Sequence, residues 1–157
     1  IDRKNVPNFL KEIKRVLKPN GIHRIVVPDF HYLCLKYIKI FELSMSEEKY
    51  KYQVDNFVSD IIEQSVRKEA SGTAIQKPLT RIIENTFLGD ARNRGETHQW
   101  MYDRFNLSCI LKENGFRDIK QKSFDCSQID NWKQYKLDVD DSQNEYKEGS
   151  LYMESRK

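Results

Sequence analysis

The acidic residue Asp29 lies one residue, Pro28, beyond a short run rich in β-branched residues, 22–27, which predicts a buried strand. Open α/β sheets bind their ligands beyond the carboxyl ends of their strands, so a carboxylate at this position can accept a proton or bind a substrate hydroxyl. Asp is also a favoured N-cap, and Asp29 is placed to cap a helix that begins near Phe30. His31 either faces the same cleft or is an exposed histidine at the start of that helix.

A second group of candidate residues precedes the C-terminal third of the chain. His98 is a candidate general base, because a neutral imidazole accepts a proton near neutral pH; the alternative is a hydrogen bond within its own loop. Trp100 and Tyr102 either stack on a substrate ring or pack in the core. Arg92 and Arg94 either hold an anionic substrate such as a phosphorylated or nucleotide-linked sugar, since guanidinium groups fit phosphate, or lie in a solvated loop.

The elements around these residues alternate between helix and strand, which predicts an α/β fold. Apolar residues recur at three- and four-residue steps in the first segment, as on one face of a helix: Val6, Phe9, Leu10, Ile13, Val16 and Leu17. Further strands are predicted over 116–124 and 150–155. Between the strand over 22–27 and the strand over 116–124 we predict helical structure over 30–87 and a later helix that is capped by Asp103 and ended by Gly115.

Length and composition limit the class of protein. The chain has 157 residues, 38% of them hydrophobic, which predicts a single domain over residues 1–157 with its own core. A net charge of +3 is too small to predict a dedicated nucleic-acid binder, and no apolar run is long enough to span a membrane. The three cysteines are widely spaced and the three histidines lack ligand spacing, so we predict no metal site and a cytoplasmic location. The chain begins Ile1-Asp2-Arg3, without a Met or a signal peptide, and we expect it to be part of a longer protein.

Residues 9–30, FLKEIKRVLKPNGIHRIVVPDF, resemble the later half of class I S-adenosylmethionine-dependent methyltransferases, in which a helix ending in an R-V-L-K-P-G-G turn leads into the fifth strand. Asn20 stands at the first glycine of that turn, and Asn also accepts a left-handed conformation. Three further elements match in order. GETHQWMYD (95–103) is similar to a G-H-x-x-M-Y-D element of a bacterial subgroup often associated with surface-polysaccharide genes. LKENGF (111–116) is similar to the turn before the sixth strand, and SLYME (150–154) to the antiparallel seventh strand.

The resemblance implies a partial Rossmann-like methyltransferase fold with the fifth, sixth and seventh strands, flanking helices and a helical insert over 30–87. That insert would be a substrate lid or a dimer element. In such a sheet the seventh strand lies between the fifth and the sixth, and the outer edge of the fifth strand would be open. We expect this edge to be covered by a second copy of the chain, by a swapped segment or by a missing N-terminal half.

The activity implied by the resemblance is methyl transfer from S-adenosylmethionine to a hydroxyl of a saccharide or another small molecule, with Asp29 and His98 as catalytic residues. The acceptor would be bound by His31, Arg92, Arg94, Trp100 and Tyr102. The family holds its cofactor with a glycine-rich turn, but no two of the six glycines here lie within five residues of each other. The cofactor-binding residues are therefore unassigned. The alternative is a non-catalytic methyltransferase-like remnant, or an interaction module that binds a protein partner.

Overall fold

A three-stranded antiparallel sheet dominates the computed structural model, which describes residues 1–66 and 100–157. Its strands are β1 (Ile22–Pro28), β2 (Arg117–Lys122) and β3 (Ser150–Arg156), in the order β1-β3-β2. Because β1 and β2 are both antiparallel to β3, they run parallel to each other. The predicted α/β architecture is confirmed, and the last strand lies in the centre of the sheet.

Five α-helices accompany the sheet in the described residues: α1 (Val6–Val16), α2 (Phe30–Ser46), α3 (Lys51–Val66), α4 (Arg104–Glu113) and α5 (Trp132–Tyr135). The chain divides into two compact units, one with residues 1–6 and 35–101 and the other with 7–34 and 102–157. The whole sheet lies in the second unit. None of the described helices is long and apolar enough to cross a membrane. The single domain and the helical insert over 30–87 stay predictions, since 67–99 lie outside the described residues.

The hydrophobic core of the second unit is built by α1, α4 and the sheet. Leu10 of α1 and Leu107 and Leu111 of α4 are buried, and α4 contacts both β2 and β3. From β3, Leu151 and Met153 are buried on one face, since alternate residues of a strand share a face. Fully burying one such side chain contributes about 1.5–3 kcal/mol, so these few residues hold the helices to the sheet.

Both ends of α4 follow the predicted signals. The Asp103 carboxylate accepts hydrogen bonds from the backbone N–H groups of Phe105 and Asn106, each at 2.8 Å, and the Asn106 side chain completes a capping box. Gly115 ends the helix with a left-handed φ of 79°, and its carbonyl accepts a hydrogen bond from Lys14 Nζ at 2.8 Å. The cap and the turn therefore fix where β2 begins and join it to α1.

The turn between α1 and β1 depends on Asn20, whose φ of 61° confirms the expected left-handed conformation. Its backbone carbonyl accepts a hydrogen bond from Arg156 Nη1 at 3.2 Å, and the carbonyl of Gly21 accepts one from the backbone N–H of Lys157 at 3.0 Å. The end of β3 therefore holds this turn and sets the register of β1.

The second strand is shorter than the predicted strand over 116–124 and contains a β-bulge. Arg117 lies opposite Arg156 and Lys120 lies opposite Glu154, so β2 has one residue more than β3 in this interval. The extra residue explains why Phe116 and Ile119, three residues apart, are both shielded from solvent. Phe116 is buried and Ile119 is half-buried, although residues three apart lie on opposite faces of a regular strand.

Candidate functional site

The junction at the carboxyl end of β1 brings three separate segments together. Asp29 stands between β1 and α2, and its backbone N–H donates to the carbonyl of Gly149 at 2.9 Å. On the other side of the chain, the backbone N–H of Phe30 donates to the carbonyl of Tyr102 at 2.8 Å. The segments that lead into β3 and α4 therefore meet beside Asp29. This is the end of the sheet at which open α/β folds bind ligands.

One of the two oxygens of the Asp29 carboxylate already accepts a hydrogen bond within the fold. Its Oδ1 accepts a hydrogen bond from the backbone N–H of His31 at 3.0 Å, which is an N-cap for α2. Among the described residues, no donor pairs with Oδ2. Capping holds the side chain in place and leaves the second oxygen able to accept a hydrogen bond or a proton from a bound hydroxyl.

A tyrosine–glutamate pair lies next to this junction and was not predicted from the sequence. The Tyr32 hydroxyl donates a short hydrogen bond to the carboxylate of Glu148, and this bond, together with burial, raises the pKa of Tyr32 to about 12. Gly149 has a φ of 80°, and a Cβ there would lie 2.7 Å from the Tyr32 ring. Tyr32 therefore stays protonated at neutral pH and packs against the same peptide that binds Asp29. The only sequence signal is a Glu-Gly pair just before the last strand.

The structure describes three of the other predicted site residues, His31, Trp100 and Tyr102. His31 is exposed in the first turn of α2, as the simpler interpretation expected. Trp100 belongs to the other compact unit, where the Arg3 guanidinium lies 3.9 Å from its ring centroid, whereas Tyr102 belongs to the unit with the sheet. His98, Arg92 and Arg94 lie outside the described residues. The catalytic role of His98 and the anion-binding roles of the two arginines therefore stay predictions.

A buried ion network on the other face of the sheet is the strongest polar feature that the sequence did not indicate. The Arg24 side chain is 4% exposed, and its Nη1 donates to Glu154 Oε1 at 2.8 Å while its Nε donates to Asp138 Oδ2 at 2.8 Å. The backbone carbonyls of Ser123 and Cys126 accept two further hydrogen bonds from Arg24, at 2.9 and 3.0 Å. The network thus ties the loop after β2 onto the sheet.

Glu154 is the most buried member of this network, at 1% exposure. Burial alone would raise the pKa of its carboxyl group, but hydrogen bonds from Ser127 Oγ, the backbone N–H of Gln128 and Arg24 together lower the pKa below its usual value. Glu154 is therefore ionised in the folded protein at neutral pH. Since the Arg24 guanidinium and both oxygens of Glu154 have partners within the fold, the network is structural and is not a candidate site.

No residue among those described is identified as part of a cradle for S-adenosylmethionine. Such a cradle needs closely spaced glycines that let the backbone approach the ligand, and the turn after β1 is Pro28-Asp29. In the same part of the chain, no group of three or more His, Cys, Asp or Glu side chains is arranged to hold a metal ion. Comparisons of the chain with protein-family models, with curated proteins and with solved structures find no match. The site is thus defined by its own geometry.

Proposed function

We propose that the chain carries the acceptor side of a class I methyltransferase-like fold and acts in methyl transfer to a hydroxyl group of a saccharide or another small molecule. One observation carries the proposal. β3 lies antiparallel between β1 and β2, which are parallel to each other, and this is the arrangement that the resemblance implies for the fifth, seventh and sixth strands. The left-handed Asn20, in place of a glycine of the family's turn, gives further support.

The chemistry assigned to this chain is orientation of the acceptor and removal of its proton. S-adenosylmethionine would supply the methyl group, and no residue of this chain is assigned to hold it. Asp29 Oδ2 accepts the hydrogen bond of the incoming hydroxyl, while the N-cap bond to His31 keeps the carboxylate in one orientation. The Tyr32–Glu148 pair fixes the loop that leads into β3, whose Gly149 carbonyl accepts a hydrogen bond from the Asp29 backbone. Proximity and orientation are the main contributions of such a site.

The test is a calorimetric titration of S-adenosylhomocysteine into the chain, with the mass in solution measured on the same sample. The proposal expects saturable binding, and a doubled mass would mean that two copies form the site. Absence of binding to a folded sample would contradict methyl transfer by this chain. Where binding is found, D29N is expected to slow transfer to a hydroxyl acceptor by about 10²–10⁴-fold with unchanged affinity for S-adenosylhomocysteine. The matched control is D130N, since Asp130 is an exposed aspartate of the loop after β2.

A second candidate function, an interaction module, is favoured by the outer edge of β1. Gly21 and Asp29 both bond to the β3 side, so the backbone groups of the even-numbered residues between them face the other edge. Among the described residues, those of Ile22, Arg24 and Val26 have no partner there, and Val26 is 43% exposed. Such an edge is a template for another strand. A second copy fits, since antiparallel pairing about Arg24 places Ile22 opposite Val26.

Proline variants test this edge. V26P removes an N–H that faces away from β3, so it is expected to leave the free energy of unfolding within about 1 kcal/mol of the parent while converting a dimer to a monomer. V27P is the matched variant, because it removes an N–H that faces β3 and is expected to destabilise the fold by about 3 kcal/mol. Light scattering measures the mass. A parent chain that is monomeric at all concentrations would exclude pairing of β1 with a second copy of the chain.

A further inference from the structure

A cleft of about 210 Å³ lies beside α5, in the unit that contains the sheet, and none of the residues at the end of β1 lines it. Phe124 and Trp132 form an aromatic wall, and Lys133, Lys136 and Gln143 contribute polar groups. The loop after β2 thus builds a concave surface with one apolar side and several hydrogen-bonding side chains. Small-molecule sites have this composition.

The aromatic wall is held from behind by the buried ion network. The Arg24 guanidinium carbon lies 4.6 Å from the centroid of the Trp132 ring, and the indole N–H donates to the carbonyl of Phe124 at 3.4 Å. Asp138, which lines the cleft, is bound to Arg24. The half-buried indole is therefore fixed before any ligand arrives, so little ordering entropy is lost on binding.

Two side chains of the cleft are carried by strained backbone. Lys136 has a φ of 50° and Gln143 a φ of 64°, in the left-handed region that glycine occupies without strain. Each non-glycine residue there costs about 1–2 kcal/mol. Neither side chain has a hydrogen bond in the described structure that would offset this cost. Lys136 is also the left-handed C-cap of α5, and residues in such conformations are frequent at ligand sites, so these two side chains are candidates to bind a ligand in the cleft.

The charges of the cleft indicate the class of ligand. Lys133 and Lys136 are balanced by Asp125 and Asp138, since Arg24 pairs with both Asp138 and Glu154 and the three together keep one net negative charge. Asp125 accepts a hydrogen bond from Ser123 Oγ at 2.7 Å and keeps further acceptor capacity. The cleft therefore offers both donors and acceptors without an excess of either charge. A hydroxyl group both donates and accepts, so it matches such a surface better than an anion does.

We propose that this cleft binds one saccharide unit, a neutral ring with several hydroxyl groups, with a face of the ring on Trp132. The amine of Lys136 and the amide of Gln143 bind hydroxyls at the rim, and Asp125 accepts from another. The proposal rests on the cleft alone and holds whether or not the chain takes part in methyl transfer. Its test needs no cofactor, so the two proposals fail independently.

The experiment follows the two indole N–H signals in ¹⁵N-correlated NMR spectra of the full chain, assigned with the variant W100F. Methyl α-glucopyranoside and methyl β-galactopyranoside are the neutral probes, and glucuronate is the anionic one. The expected result is a saturable shift of the Trp132 signal by a neutral glycoside, with a Kd of about 1–10 mM. The Trp100 signal is expected to stay in place.

Glycine variants separate binding from folding. K136G and Q143G remove a cleft side chain and relieve the left-handed strain, so each is expected to weaken binding at least about fivefold with a Tm at or above that of the parent. N20G relieves the same kind of strain outside the cleft and is expected to bind like the parent. No saturable shift by either glycoside up to about 50 mM, where a millimolar site is full, would overturn the proposal. Undiminished binding by K136G and Q143G, or binding of glucuronate alone, would overturn it equally.

Discussion

Replacing Arg24 by leucine tests whether the buried ion network holds the sheet and the loop after β2 together. The side chain is 4% exposed, and its guanidinium donates four hydrogen bonds at 2.8–3.0 Å, to Glu154, Asp138 and two backbone carbonyls. R24L leaves the carboxylates of Glu154 and Asp138, 1% and 8% exposed, without their cation. Removing one partner of a buried pair costs about 3–5 kcal/mol, so we expect a loss of this size in the free energy of unfolding.

Urea unfolding followed by circular dichroism measures this loss. The matched control is R15L, because Arg15 pairs with Glu12 at 2.8 Å on the surface, where both side chains are more than 60% exposed. Exposed pairs contribute about 0–1 kcal/mol, so R15L is expected to unfold close to the parent. A loss below about 1 kcal/mol for R24L, equal to that of R15L, would refute the reasoning.

The pH dependence of R24L separates unpaired charge from lost packing. In the parent, the pKa of Glu154 is lowered in the folded state, so its contribution is present at neutral pH and is lost only as the pH falls through that pKa. In R24L, the buried carboxyl group has lost its cation and its folded pKa rises above the unfolded value, so part of the stability returns as the pH falls through this raised pKa. The deficit of R24L is therefore expected to shrink between pH 7 and pH 5. A deficit that is constant with pH would mean that packing alone was lost.

Two further substitutions test single positions. The pKa of His23 is lowered by burial, and its buried Nδ1 has no hydrogen-bond partner among the described residues. The unfolded chain therefore binds the proton more readily, and stability falls as the pH drops below about 6.5. H23L is expected to show a smaller decrease in urea midpoint between pH 7 and pH 5 than the parent, and an equal decrease would contradict the assignment. G149A forces a Cβ to within 2.7 Å of the Tyr32 ring at a φ of 80°. A loss of about 2 kcal/mol is expected, which lowers the Tm by roughly 4–8 °C in a thermal melt, and an unchanged Tm would show that the ring moves away freely.

The parts of the fold that local physics controls could be predicted from the sequence. Asp103 and Gly115 bound α4 because a cap and a left-handed glycine act within one turn of the helix. Asn20 takes the expected conformation for the same reason. The bulge in β2 was missed, since it is defined by the register against β3, more than thirty residues later in the chain. Its only trace in the sequence is the irregular spacing of Phe116 and Ile119.

The candidate site was predictable in position but not in partners. A short apolar strand ending at Pro28 places Asp29 at the carboxyl end of the sheet, and that follows from the sequence alone. Glu148 could not be assigned to this place, because its partner Tyr32 is 116 residues away and nothing local distinguishes it from other acidic residues of its loop. Arg24 was likewise hidden within an apolar run, and its carboxylate partners are 114 and 130 residues distant.

Arg24 also decides which substitutions can separate stability from binding. Its guanidinium neutralises Glu154 and supports the Trp132 ring, so any change at Arg24 alters the sheet and the cleft at once. Loss of saccharide binding in R24L would therefore not distinguish a binding defect from a folding defect. Lys136 and Gln143 are free of this coupling, because their side chains form no part of the network and glycine suits their backbone. A loss of binding at these two positions with retained stability identifies the cleft as a site, which no variant of the network can do.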